Sequence, residues 1–129
     1  MTRLPDWRQR LEVFIRAARV MPFAYGKMDC ALFSAGAVHA MTGADLARGH
    51  RGYRTLAEGL RGIRGSHVDM AASLFPEIPP MSAGPGDIAV VPGDPGLALG
   101  IVQGAHVYVM GISGLGLVPK DSAVRVFRV

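Results

Sequence analysis

The chain has 129 residues, a formal net charge of +4 and a single cysteine, and half of its residues are hydrophobic. This length suits one domain with a buried core, and no apolar stretch is long enough to span a membrane. One cysteine excludes an internal disulfide, and the four histidines lack zinc-site spacing, so we expect no metal and no cofactor. The arginines are not interleaved with stacking aromatic residues, so nucleic acid is not an expected partner.

The first part of the chain is predicted to be helical. Apolar residues at helical spacing predict a helix over about residues 7–19, with a capping box formed by Asp6 and Gln9. A second helix is predicted over residues 30–41, because Asp29 is a good N-cap residue and an apolar run follows it.

Gly43 suits a left-handed cap at the end of the second helix. Two shorter helices are predicted after it. Residues 53–63 are predicted to form a third helix, weakened by internal glycines. Ser66 and Asp69 form a second candidate capping box, which opens a fourth helix to about Leu74.

The last part of the chain is predicted to form strands. Four prolines make residues 75–86 a bridge between the two halves. Strands are then predicted over residues 88–91, 97–102, 105–110, 116–118 and 123–129. In the last of these, Val124 and Val126 alternate with Arg125, and Arg128 follows, which predicts a sheet with one solvent-facing side. Helices followed by a meander predict an α+β domain.

Cys30 is the candidate nucleophile. A thiol in the first turn of a helix lies at the positive end of the helix dipole, which favours the thiolate. The alternative is that Cys30 is a small buried hydrophobic residue. Among the histidines, His39 lies too far along the same helix to reach the thiol, and no argument from the sequence brings His50 or His67 to it.

Two segments carry a resemblance to a known superfamily. Residues 25–33 read YGKMDCALF and residues 85–91 read PGDIAVV. Both resemble motifs of the NlpC-type cell-wall cysteine peptidases, papain-like enzymes that cut peptide bonds in bacterial peptidoglycan. The resemblance implies a single domain over residues 1–129, with helices to about residue 75 packed on an antiparallel sheet or half-barrel over residues 86–129.

The resemblance also implies roles for individual residues. Cys30 matches the nucleophile of the family, and Asp29 matches a structural residue, as an N-cap would be. Gly26 and Asp87 belong to the two matched motifs and are expected to be structural.

The acid–base residues of the family are not matched. Its His-Val-Gly-Ile pattern aligns with ALGI at residues 98–101, so Ala98 stands where the histidine belongs. Met110 stands where a third polar residue is expected. A cysteine nucleophile needs a base for its proton and a donor for the leaving amine. His106 is the one alternative base, although a surface histidine is the ordinary interpretation of its position in a strand.

A narrower resemblance bears on biology. Residues 41–45 read MTGAD and residues 49–55 read GHRGYRT, a pattern similar to small tail-tip proteins of phages, prophages and gene-transfer-agent-like particles. The segment 51–53 also fits a turn with an aromatic anchor.

Three functions follow as hypotheses. The first is a structural tail-tip component with a degenerate peptidase domain, located in the virion after assembly in the host cytoplasm and bound to other tail-tip or hub proteins. The second is an active peptidoglycan peptidase or amidase that uses Cys30 and His106. The third is a small cytoplasmic binding module.

Overall fold

A computed structural model describes residues 1–63, 66–93 and 96–129 of the chain. The helices are α1 (Trp7–Ala18), α2 (Cys30–Thr42), α3 (Leu56–Gly62) and α4 (His67–Leu74). The strands are β1 (Glu77–Ile78), β2 (Ile88–Pro92), β3 (Leu97–Gln103), β4 (His106–Gly111), β5 (Gly114–Pro119) and β6 (Arg125–Phe127). Short 3₁₀ turns cover Pro80–Ser82 and Lys120–Ser122.

The strands form an antiparallel sheet in the order β1-β6-β2-β3-β4-β5. Helix α2 packs against α1 on one side and against β3 and β4 on the other. One hydrophobic core therefore joins helices to sheet, with Phe33 from α2, Ile101 from β3 and Phe127 from β6 all fully buried in it. The predicted α+β class is confirmed. None of the helices in the described ranges is both long enough and apolar enough to cross a bilayer.

The starts of the helices test the cap predictions. The Asp6 side chain caps no N–H of α1 and instead accepts a hydrogen bond from Arg10 one turn on, so the capping box predicted there is wrong. Helix α3 begins at Leu56, later than predicted, because the Thr55 hydroxyl accepts from the Glu58 N–H and fixes the N-cap there.

The remaining caps agree with the sequence. The Ser66 hydroxyl accepts from the Asp69 N–H at 3.0 Å and begins α4 as predicted. Gly43 ends α2 with a φ of 81°, the left-handed conformation expected of it.

The sheet differs from the prediction at its β1–β6 edge. The proline-rich bridge contains the two-residue strand β1, which pairs with β6 and could not be recognised at that length. Strand β6 lies between β1 and β2, and its Val126 is fully buried in a second apolar cluster on the face away from the helices. The predicted solvent-facing side is therefore wrong at β6, since both Val126 and Phe127 are buried.

Candidate functional site around Cys30

Asp29 organises the site. Its carboxylate is 4% exposed and accepts three hydrogen bonds, from the Leu32 N–H at 2.9 Å, from the Gly26 N–H at 3.2 Å and from the Tyr53 hydroxyl. The bond to Leu32 is the predicted N-cap of α2. The other two bonds tie the turn before Cys30 and a loop 24 residues further along the chain to the same carboxylate.

Gly26 lets these two segments approach each other. Its φ of +76° lies in the left-handed region, and a Cβ built on it would lie 2.1 Å from the Tyr53 carbonyl oxygen. The Gly52 N–H donates to the Gly26 carbonyl at 3.0 Å across this contact. Only glycine fits this position, so two motifs that are separate in the sequence form one structural unit.

Tyr53 is the aromatic anchor of that unit. Burial of the phenol, its hydrogen bond to Asp29 and the negative charge of that carboxylate raise the pKa of Tyr53 above its ordinary range. The ring also covers Gly59 of α3, where a Cβ would lie 2.7 Å from a ring carbon. Tyr53 thereby fixes α3 against the N-terminus of α2.

Cys30 is the first residue of α2 and lies partly buried against the beginning of β3. Burial raises the pKa of the Cys30 thiol, the backbone N–H of Leu99 opposes this by hydrogen bonding to the sulfur, and the Asp29 carboxylate raises it further. The expectation that the helix dipole favours the thiolate is therefore corrected. The helix dipole lowers the pKa of a thiol at this position, but burial and the neighbouring negative charge raise it by more.

A cavity of about 670 Å³ opens beside Cys30. It lies between α2, the loop before α3, α3 and α4, and the ends of β3 and β4 nearest the thiol. Most of the residues along its walls are apolar, with Ser34, His50 and His67 among the polar ones.

His67 and His50 are the residues that sequence reasoning missed. The His67 Nε2 donates to the Leu97 carbonyl at 2.9 Å, since a carbonyl oxygen can only accept. Leu97 belongs to β3, and His67 and Cys30 both line the same cavity. The position of His67 directly after the Ser66 N-cap is the local signal for this residue, but the packing of α4 on β3 brings it to the cavity.

The structure does not bring His106 to Cys30. His106 is exposed at the start of β4 and pairs with Gln103, at the opposite end of β3 from Leu99. Four residues of strand separate Gln103 from Leu99, which is roughly 13 Å. His106 is therefore a surface histidine, which is the ordinary interpretation of its place in the sequence.

Ala98 and Met110, the two residues that the sequence resemblance aligns with proton-transfer residues of NlpC-type enzymes, both line the cavity. Ala98 packs partly against the second apolar cluster, and Met110 is buried in the shared core. Neither side chain can accept or donate a proton. Among the described residues, no group of three or more His, Cys, Asp or Glu side chains could hold a metal ion.

Asp87 lies in a second buried polar site. It is 3% exposed, forms an ion pair with Arg3 at 3.1 Å and accepts hydrogen bonds from the N–H groups of Gly84 and Val129. Arg3 also donates to the carbonyls of Val129 and Pro85. These contacts join residues near both ends of the described chain to the segment just before β2. Asp87 therefore has a structural role, as expected.

The model of the family described as Domain of unknown function (DUF6950) matches residues 2–129. The chain belongs to that family. A comparison with curated proteins gives no match.

Proposed function

We propose that the chain is a tail-tip component of a bacteriophage, prophage or gene-transfer-agent-like particle. It is built on a degenerate papain-like domain of the NlpC type and acts in assembly, bound to hub and other tail-tip proteins. The resemblance of its two motif groups to such proteins supports this. The contact between Asp29 of one motif and Tyr53 of the other adds support, because the matched residues form a single unit.

One observation favours assembly over hydrolysis. Partial burial and the neighbouring Asp29 carboxylate raise the pKa of the Cys30 thiol, and the resemblance to NlpC-type enzymes aligns Ala98 and Met110 with proton-transfer residues that they cannot replace. A nucleophilic cysteine is activated by the opposite arrangement, in which a cation or imidazole stabilises the thiolate. The site is therefore better suited to holding a fold together than to acyl transfer.

The test is complementation in a particle that encodes the chain. Deletion should prevent complete tails, as seen by electron microscopy, and a Cys30→Ala chain should restore them as fully as the wild type does. Complete infectious particles without the chain would contradict the proposal. Failure of a folded Cys30→Ala chain to restore tails would contradict it as well.

The placement of His67 supports a second candidate, a peptidoglycan peptidase or amidase. Cys30 and His67 both line the cavity, and the bond to the Leu97 carbonyl uses the Nε2 atom of His67 and not Nδ1. In this candidate, His67 in place of His106 would take the proton of the thiol and return it to the leaving amine.

Incubation with purified peptidoglycan separates the two candidates. Under the assembly proposal no new amino termini are released. Release that is abolished by Cys30→Ala and by His67→Ala, but retained by His106→Ala, would establish the hydrolase and reject the assembly role as the sole function. The His106→Ala variant is the matched control, because that histidine is exposed and far from the thiol.

A further inference from the structure

Strand β5 is the outer strand at one edge of the sheet. It pairs with β4 on one side, and no strand in the described part of the chain lies on its other side. The opposite edge of the sheet is β1, which has two residues, whereas β5 has six. A very short edge strand offers little backbone for another chain to pair with, but a longer one is a template for a further strand. The β5 edge is therefore the one that can accept a strand.

The register with β4 shows which backbone groups of β5 point outward. A two-residue hairpin loop joins the two strands, so Gly114 at the start of β5 forms a hydrogen-bonded pair with β4. Such pairs alternate with non-hydrogen-bonded ones, so Gly116 and Val118 also bond to β4, and the N–H and C=O groups of Leu115 and Leu117 point away from it. No backbone group of another described element hydrogen-bonds to these two leucines.

The β5 edge lacks most of the features that keep edge strands from pairing. Natural edge strands are commonly protected by charged side chains, bulges or proline. Residues 96–119 contain no Asp, Glu, Lys or Arg, so the net charge of +4 lies elsewhere on the chain. The register of β5 with β4 is continuous and contains no bulge. Pro119 ends the strand at an outward-facing position, which confines pairing to the residues before it.

The side chain of Leu117 is exposed next to this edge. Leu117 is paired with Tyr108, lies on the helix-side face of the sheet and is 53% exposed. Helix α1 reaches this face as far as Tyr108, whose hydroxyl accepts a hydrogen bond from Arg19 at 2.8 Å. Leu115 lies on the same face and packs partly against the core. An apolar side chain on a neighbouring strand would cover Leu117 and continue the core past β5.

We propose that β5 pairs antiparallel with β5 of a second copy of this chain, across a two-fold axis at Gly116. Residues 115–117 read Leu-Gly-Leu in both directions, so Leu115 of each copy lies opposite Leu117 of the other and exchanges both hydrogen bonds with it. Each exposed Leu117 then packs beside an apolar side chain. Pairing centred on Leu115 would instead place Leu117 opposite Ser113 of the hairpin loop and leave the leucine uncovered.

The assembly closes at two chains. The interface uses the β5 edge of both copies and leaves the two-residue β1 strands as the outer edges of one continuous sheet. The dimer is independent of whether the chain acts in tail assembly or in hydrolysis.

Sedimentation velocity of the complete chain is the first test. The mass should rise from one chain to two between about 10 µM and about 1 mM, because a single strand pair is a small interface and gives a weak dimer. A monomer at every concentration would overturn the proposal. Growth beyond two chains would overturn it as well, because pairing at β5 is closed.

A disulfide tests the register. Gly116→Cys in a Cys30→Ala background should form a covalent dimer on oxidation, because facing residues of a non-hydrogen-bonded pair have Cα atoms about 4.5 Å apart, within the reach of a disulfide. The added Cβ would lie 3.9 Å from the Val109 carbonyl oxygen, an ordinary contact. Ser113→Cys in the same background is the matched control, since it is exposed on the same hairpin but lies roughly 20 Å from its copy in this register.

The control should cross-link about tenfold less than Gly116→Cys or worse, as read on a non-reducing gel. Equal cross-linking of the two variants would overturn the register. A dimer in solution whose Gly116→Cys form does not cross-link would overturn β5 as the interface.

Variants of Leu117 test the backbone pairing. Leu117→Pro removes an outward N–H without removing a hydrogen bond to β4, and it should weaken the dimer about tenfold or more. Leu117→Ala retains that N–H and should weaken the dimer only about threefold, through the lost apolar contact. Leu117→Glu is a second disruptive variant, because it places like charges near each other across the axis, and a thermal melt shows which variants are folded. Dimerisation that is unchanged in the folded Leu117→Pro or Leu117→Glu chain would overturn the proposal.

Discussion

Two buried aspartates can be compared directly. Asp29 and Asp87 are both almost fully buried, and each has nearby a glycine with a left-handed φ, Gly26 or Gly86. Asp87 has the guanidinium of Arg3 as counter-charge, whereas no ion pair in the described part of the chain includes Asp29. The Asp29 carboxylate is held by hydrogen bonds from neutral donors alone.

The presence of a cation beside one aspartate and its absence beside the other give the two carboxylates different effects on their surroundings. At Asp87 the negative charge is paired with Arg3, and the contacts of this carboxylate join the chain ends. At Asp29 the charge is uncompensated by a cation, and it raises the pKa values of both Tyr53 and Cys30. For the Cys30 thiol, burial raises the pKa most, and the charge of the residue that also caps its helix raises it further.

The largest effect is expected at Asp87. Asp87→Ala leaves Arg3 without its partner and two N–H groups without an acceptor, so the free energy of unfolding should fall by about 3–5 kcal/mol. Urea unfolding measures this, with Asp121→Ala at an exposed position as the control. A loss below about 1 kcal/mol would mean that the ion pair adds little to stability.

Asp29→Ala should have the next largest effect. A cap alone predicts a loss of about 1 kcal/mol, but the additional bonds from Gly26 and Tyr53 predict about 2–3 kcal/mol. Urea unfolding of Tyr53→Phe separates the contributions, because it removes only the hydroxyl and should cost about 1 kcal/mol. Equal losses in the two variants would show that the cap and the Gly26 bond together contribute nothing.

Stability should also fall at alkaline pH. Tyr53 has a raised pKa in the fold, so above about pH 10 the unfolded chain loses a proton that the folded chain keeps. The free energy of unfolding therefore decreases as pH rises through that range. Tyr53→Phe should make this decrease shallower, as followed by thermal melting from pH 8 to 11. An unchanged slope would contradict the raised pKa.

The reactivity of Cys30 offers a smaller but more specific test. Because the pKa of the thiol is raised, its alkylation by iodoacetamide should reach half of its maximal rate above about pH 8.5, the ordinary thiol value. Asp29→Asn removes the negative charge and should move this midpoint to lower pH. A midpoint below neutral pH in the wild-type chain would instead indicate an ion-pair partner for the sulfur.

The smallest effect is expected for Ser34→Ala. Its hydroxyl is buried and unpartnered, so removing it should leave the melting temperature unchanged or slightly raised. A loss of about 1 kcal/mol or more would show that the hydroxyl is bonded within the fold.

Local features were largely predictable from the sequence. The cap at Asp29, the cap at Ser66 and the left-handed Gly43 each depend on residues a few positions away, so the chain order alone indicates them. The order of helices before strands followed from periodicity in the same way. Asp6 shows the limit of such reasoning, because an exposed Arg10 one turn on offers its side chain a competing partner.

Distant contacts decided the rest. The contact between Tyr53 and Asp29 comes from across the chain, and local pattern cannot show it. The start of α3, by contrast, is a local feature, because it is set by the Thr55 cap three residues before Glu58. The burial of Val126 depends on β1 and on the second apolar cluster, which exist only once the sheet has formed.

The sequence by itself determined that a cysteine begins a capped helix in an α+β domain, since capping and periodicity act over a few residues. Only the tertiary structure decided what surrounds that cysteine. It moved His106 away from the thiol, brought His67 to the same cavity and buried the sulfur beside a carboxylate. The sign of the thiol pKa shift depends on solvent exclusion and on charges from other segments, and both arise only when those segments pack together.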